Sequence, residues 1–144
     1  MVVNLYTDGA CKGNPGPGGW GVVIINNGTL VDEFYGGESN TTNNRMELLA
    51  VIHGLNKIED ADTVRVNTDS MYVKNGITSW INKWVENGWK TAAKKDVANK
   101  DLWIKLQTIV EDRDVTWNWV RGHSGNAGNE RADFLANKGV SDYC

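Results

Sequence analysis

Three extended runs come before the first helical one, and that order limits how a sheet can be assembled from this chain. Val2–Thr7, Gly19–Ile25 and Thr29–Tyr35 carry β-branched and aromatic residues without helical spacing. Between the second and third, Asn26-Asn27-Gly28 is a hairpin turn signal. Thr42–Ile58 then places Leu48, Val51, Ile52, Leu55 and Ile58 at helical spacing, with Thr41 or Thr42 able to cap its start. A strand over Thr63–Thr68 follows. Short helices are expected at Met71–Trp80 and Ile81–Glu86, stopped by Asn87-Gly88. A helix over Asn99–Glu111, a strand over Val115–Val120, a loop at Gly122–Gly125 and a helix over Asn126–Lys138 complete the chain. A hairpin followed by alternating helices and strands predicts an α/β fold, with the hairpin added to a sheet that is parallel at its centre. No repeat or linker divides the sequence, so one domain over residues 1–144 is expected.

No apolar stretch approaches the roughly 20 residues of a membrane span. The start MVVNLYTDGA lacks the basic and apolar regions of a secretory signal. Cys11 and Cys144 make neither a disulfide framework nor a metal-type pair, so a reducing, cytoplasmic setting is expected. The net charge of −3 argues mildly against a nucleic-acid partner, but its distribution points the other way. Residues 81–105 hold six lysines against three acidic residues, a net +3, which leaves −6 on the remainder. A basic segment on an acidic body is a candidate electrostatic footprint, and its plainer alternative is a solvated helical face.

Both prolines and six of the sixteen glycines lie between Asp8 and Gly21. Gly16-Pro17-Gly18-Gly19-Trp20-Gly21 matches the letters of a dinucleotide fingerprint. That motif must open a helix, and here a strand follows. Lys12 precedes its glycine with no hydroxyl after it, so a P-loop is also excluded. The expected structure is a stiff turn between antiparallel strands, in which glycines let the backbone approach a sugar closely and Asn14 offers hydrogen bonds.

Asp8 ends the first strand and Asp69 ends the fourth. If those strands are parallel neighbours, both carboxylates share the sheet edge where open α/β sheets bind ligands. Glu47 flanks the apolar stripe of the first long helix, a poor place for a surface charge, and Asp133 lies in the last helix. Each alone reads as a cap or a surface charge. Crowded together they repel unless a cation is present, and hard oxygen donors suit Mg²⁺ or Mn²⁺.

In this order the motifs resemble ribonuclease H of type 1. They are Tyr6-Thr-Asp-Gly-Ala10, Gly13-Asn-Pro-Gly-Pro-Gly-Gly19, Thr41-Thr-Asn-Asn-Arg-Met-Glu-Leu48, Thr68-Asp-Ser70, Gly76-Ile-Thr, Gly88-Trp-Lys-Thr91, Val120-Arg-Gly-His-Ser-Gly125 and Asn129-Glu-Arg-Ala-Asp133. The resemblance covers essentially the whole chain. It implies a ribonuclease H-like fold: a five-stranded mixed sheet of order 3-2-1-4-5 with helices on both faces. It implies hydrolysis of the RNA strand of an RNA–DNA hybrid, leaving 5′-phosphate and 3′-hydroxyl ends, and a role in removing RNA primers and R-loops during replication. By position, Asp8, Glu47, Asp69 and Asp133 would bind two Mg²⁺ ions, with Mn²⁺ able to substitute. Asp8 would bridge the ions. Asp133 would serve the one that activates water, and Glu47 and Asp69 the one at the leaving oxygen. His123 would assist proton transfer or product release.

The same resemblance places Asn14 against the sugar edge of the hybrid, where the 2′-hydroxyl distinguishes RNA from DNA. Asn43 and Glu47 would contact the RNA, and Thr42 with Asn43 would hold a phosphate of the DNA strand at a helix N-terminus. The basic segment, about 81–103, matches a protrusion that grips DNA, with Trp80 against deoxyribose and Lys83, Lys90, Lys94 and Lys95 nearby. Trp84, Trp89 and Trp103 are expected to pack, and Trp117 and Trp119 to lie in the core. A monomer with no obligate protein partner and no separate N-terminal hybrid-binding domain is expected. Met71 departs from the pattern, standing where a glutamine would hydrogen-bond the RNA, and a thioether donates nothing. Met71→Gln is therefore expected to tighten hybrid binding, and an unchanged dissociation constant would count against that reading. A resolvase or integrase core would lack the Gly-rich run and Thr41-Thr-Asn-Asn44. A non-catalytic hybrid-binding module would not need four carboxylates.

Overall fold

Residues 2–59, 61, 63–120 and 126–143 are described by the structure, a computed structural model. The hairpin forms where the turn chemistry places it. β2 (Gly16–Asn26) and β3 (Thr29–Thr41) are joined through Asn27 and Gly28, both at positive φ (54° and 77°), the pairing that matches strand twist in a two-residue loop. β1 (Val2–Cys11) pairs antiparallel with β2 and parallel with β4 (Thr63–Thr68), and β4 pairs parallel with β5 (Val115–Trp119). The strand order is β3-β2-β1-β4-β5, as the sequence led us to expect.

Three strands outrun their expected limits. β1 continues to Cys11, β2 begins at Gly16 rather than Gly19, and β3 continues to Thr41. The Gly-rich run is therefore mostly strand, and the turn is confined to residues 12–15. Packing against the last helix accounts for this. A Cβ added at Gly19 would collide with the Ala136 carbonyl of α5 (Ala127–Asp142), and one at Gly21 would lie 2.8 Å from the Ala136 nitrogen. Strand and helix backbones meet here without side chains between them. α5 packs over β1, β2 and β3, burying its own Ala132 and Leu135 with Val23 of β2.

The opposite face carries α1 (Asn43–Lys57) and α4 (Lys100–Glu111). Thr42 caps α1, its hydroxyl accepting from the Arg45 N–H at 3.3 Å. Leu5, Val22, Val64 and Val66 of the sheet bury against Met46, Val51 and Leu55 of α1 and Leu102, Trp103 and Leu106 of α4. Between β4 and α4 the chain runs through α2 (Met71–Asn75), one π-helical turn (Gly76–Trp80) and α3 (Ile81–Glu86). Trp103 is fully buried, and Trp84 and Trp89 pack against the same core. Trp117 and Trp119 are half-buried rather than interior, because β5 is an edge strand. They stack on each other with ring centroids 5.6 Å apart. No helix among the described residues is long and apolar enough to cross a membrane.

Candidate active site

The parallel ladder between β1 and β4 ends at Tyr6 and Asn67, and Asp8 and Asp69 each lie two residues beyond. They therefore stand side by side where the two strands part. Asp69 sits in a tight connection to α2. The Thr68 hydroxyl accepts from the Ser70 N–H at 3.1 Å, and the Ser70 hydroxyl caps α2 by accepting from the Val73 N–H at 3.2 Å. Glu47 arrives from the second turn of α1. Its approach depends on Gly9, where a Cβ would lie 2.6 Å from the Glu47 nitrogen and 2.9 Å from the Met46 carbonyl carbon. Gly9→Ala is expected to push α1 off β1 and destabilise the fold by about 1–3 kcal/mol, as overpacking of a tight contact does. A melting temperature equal to that of the parent would refute this.

The result is a trio of carboxylates, Asp8, Glu47 and Asp69, whose ligand oxygens all lie within 4.8 Å of one another. Asp8 and Glu47 are buried, at 6% and 5% exposure. Asp133, half-buried on α5, brings a fourth carboxylate against Asp8. Burial, the Asp69 charge and the Asp133 contact push the Asp8 carboxyl up to about 8, against the partial relief of a Gly9 N–H donating to its Oδ1 at 3.0 Å. Burial and the charges of Asp8 and Asp69 push Glu47 well above the ordinary carboxylate range. Its Oε2 is buried with no hydrogen-bond partner. An all-oxygen donor set, a buried orphan oxygen and mutual repulsion together fit a hard divalent cation, which would satisfy the oxygen and cancel the repulsion.

The other expected site residues fall into two groups. Asn14, Thr42 and Asn43 meet at the start of α1, where the Asn14 side-chain oxygen accepts from the Asn43 N–H at 3.1 Å. That N-terminus is thus partly capped by the Gly-rich turn. Trp80, Lys83, Lys90, Lys94 and Lys95 lie along the segment from the π turn to α4. Trp80 is 36% exposed and rests edge-on against Tyr72, with centroids 5.7 Å apart. Tyr72 is itself fixed, its hydroxyl accepting from the Trp103 indole N–H at 3.0 Å and the Asn99 amide at 3.3 Å. Lys90 is tied to Asp96, which also lies 3.6 Å from Lys100, so part of the basic charge is compensated within the segment. His123 lies outside the described residues. Met71 is 60% exposed at the head of α2, next to the connection that carries Asp69.

Several contributors were not singled out from sequence. Gly9 carries a readable signal, a glycine directly after a strand-end aspartate, but its partner helix could not be named from that. Arg45 pairs with Glu38 at 3.1 Å and Asp101 at 3.5 Å, tying the start of α1 to both β3 and α4. Two surface cavities, of about 260 and 410 Å³, are lined by Val3, Ile24 and Ile58 and by Ile52, His53 and Leu102, and neither lining includes the carboxylate trio. The acidic trio sits at the sheet edge where β1 and β4 part.

Comparison with known proteins agrees with this geometry. The RNase H family model matches residues 1–141. A ribonuclease H of Neisseria meningitidis serogroup C is 58% identical over 141 residues, 98% of this chain and 97% of that protein. The crystal structure of LC9-RNase H1, a type 1 RNase H with the type 2 active-site motif, matches with a TM-score of 0.83 at 35% identity, over 99% of this chain and 74% of that one. LC11-RNase H1, solved in complex with an RNA/DNA hybrid, matches with a TM-score of 0.69 at 28% identity over 97% of each chain. With the match running nearly end to end over the elements that bring the carboxylates together, the chain belongs to the RNase H family.

Proposed function

We propose that this chain is an endoribonuclease that hydrolyses the RNA strand of an RNA–DNA hybrid, leaving 5′-phosphate and 3′-hydroxyl ends. Asp8, Glu47, Asp69 and Asp133 would hold two divalent ions, Mg²⁺ or in its place Mn²⁺. The observation that carries the reading is the mutually repelling trio, two of it buried, with an orphan Glu47 oxygen. When bound, such ions supply a water of lowered pKa and offset charge on the leaving oxygen.

The chain's own residues do the rest. Asp8 is central, in contact with Glu47 and Asp133 and close to Asp69, so its charge state sets that of the whole cluster. Asn14 and Asn43, joined by their hydrogen bond, would present one polar surface to the sugar edge of the RNA, with Thr42 and Asn43 meeting a phosphate of the DNA strand. Trp80, held by Tyr72, would lie against deoxyribose. Lys83, Lys94 and Lys95 would meet DNA phosphates, with Lys90 weakened by its pairing to Asp96. His123 is assigned proton transfer or product release. Clearing RNA primers and R-loops during replication, by a cytoplasmic monomer, completes the proposal.

The test follows one end-labelled RNA presented as an RNA–DNA hybrid, as an RNA–RNA duplex and as a single strand, with Mg²⁺ and with chelator, alongside Asp69→Asn. Cutting confined to the hybrid, dependent on metal and lost in the variant, is expected. Tight hybrid binding with no cutting in Mg²⁺ or Mn²⁺ would move the function to a binding module.

A further inference from the structure

The sheet forks just below the acidic trio. β1 and β4 are paired as far as Tyr6 and Asn67. Beyond that point β1 stays with β2 up to Cys11, and β4 stays with β5 up to Thr68 and Trp119. Asp8 stands on one branch and Asp69 on the other. Where a ladder ends, the separation of the branches is no longer set by backbone hydrogen bonds.

Asn67 sits at the crotch of this fork. It is 3% exposed, a buried amide one residue beyond the buried Val66. Val64 and Val66 join the core under α1 and α4, so alternation turns Asn67 to the other face of the sheet. α5 packs there over β1, β2 and β3. The Asn67 amide donates to the Leu5 carbonyl of β1 at 3.2 Å, to its own strand's Arg65 carbonyl at 3.2 Å and to the Asn4 side-chain oxygen at 3.4 Å. Its oxygen accepts from the Asn118 amide of β5 at 2.7 Å. One side chain thus bonds to both neighbouring strands, β1 and β5, at the last rung before β1 and β4 part. A valine would fill such a position in a parallel strand without needing any partner.

We propose that Asn67 is a positioning residue for divalent-cation binding. By clasping β4 to β1 at the fork, it sets the separation of the Asp8 and Asp69 carboxylates. The bond to Leu5 fixes the distance between the branches, and the bond from Asn118 adds a separate tie to β5. This rests on reading the trio as a metal site.

The experiment titrates Mg²⁺ alone into metal-free protein by calorimetry, for the parent, Asn67→Val, Asn67→Ser and Asn118→Val, at a temperature where circular dichroism shows each folded. Asn118→Val leaves the tie to Leu5 in place. Both Asn67 variants are expected to bind Mg²⁺ roughly tenfold more weakly, the low end of what losing a group that supports a metal ligand costs. Asn118→Val is expected to fall less than either. Asn67→Ser, smaller and still polar, carries the test if Val at 67 prevents folding. A structural amide alone would lower the melting temperature and leave the affinity of the folded protein untouched. Parent-like Mg²⁺ affinity in a folded Asn67 variant, or an equal fall in Asn118→Val, overturns the inference. A parent that binds no Mg²⁺ overturns the metal-site reading itself.

Discussion

Asp8→Asn is expected to do two opposite things: to abolish hybrid cleavage and to stabilise the metal-free fold. The loss of activity should be roughly a thousandfold or more, because several kcal/mol of charge stabilisation at the reacting phosphate is removed and each 1.4 kcal/mol is tenfold in rate. The gain in stability follows from the same burial. Asp8 is almost fully enclosed beside Glu47 and Asp69, and its carboxyl is pushed up to about 8. At neutral pH the folded protein must keep a proton there that the unfolded chain releases. Asparagine keeps the shape and can still accept the Gly9 N–H, with no charge to bury. The gain should be on the order of a few kcal/mol near pH 7 and should vanish below about pH 3, where the carboxyl is neutral in both states. Thermal melts of parent and variant at both pH values, with chelator, make the comparison. A variant less stable than the parent at neutral pH would show that the cluster is not under charge strain.

The metal-free parent should lose stability as pH rises, and Mg²⁺ should return it. In the folded state Asp8 is raised to about 8 and Glu47 is raised well above its ordinary value, while in the unfolded chain both titrate in the ordinary carboxylate range. Between those limits the folded state holds more protons than the unfolded one, so stability falls with rising pH. The decline starts near pH 4, and the part due to Asp8 levels off above about 8. Mg²⁺ binds the deprotonated folded cluster and must displace its protons at low pH, so it stabilises more, and releases fewer protons, at higher pH within this window. The rise in melting temperature on adding saturating Mg²⁺ should therefore be larger near pH 8 than near pH 5. A rise that shrinks with pH would mean the carboxylates are ordinary and exposed.

Much of this arrangement was readable before any coordinates, and the reasons are local. Asn27-Gly28 demands a tight hairpin, Thr42 is a cap ahead of an apolar helical stripe, and Glu47 is a charge where an apolar neighbourhood leaves no room for one. The strand ends were not readable. Gly16, Gly18 and Gly19 pair in β2, but glycine shows no alternation, so a strand written in glycine looks like a turn. The π turn at Gly76–Trp80 is hidden because its residues also suit an α-helix. The half-exposure of Trp117 and Trp119 depends on β5 lying at the edge, which alternation does not reveal. Convergence of Asp8 with Asp69 required knowing that β1 and β4 are parallel neighbours. Asn67 gave no signal at all, since a lone asparagine near a strand end reads as the start of a turn.

The meeting of α5 with β2 and β3 has a consequence for how this sequence can change over evolutionary time. Gly19 and Gly21 face the backbone of residues 132–140, and a Cβ on Gly139 would strike the Gly36 carbonyl. In an ordinary helix–sheet contact the two layers ride on side chains, and every exchange of leucine for valine shifts the helix slightly. Here main chain rests on main chain, so there is no cushion to swell or shrink. The depth of α5, and with it the position of Asp133, is insulated from drift in the interior. Residues on its outward face, such as Phe134 and Lys138, are then free to vary without moving the carboxylate beside them. The same insulation makes the seam intolerant: a lineage can alter almost everything around these glycines, but not the glycines.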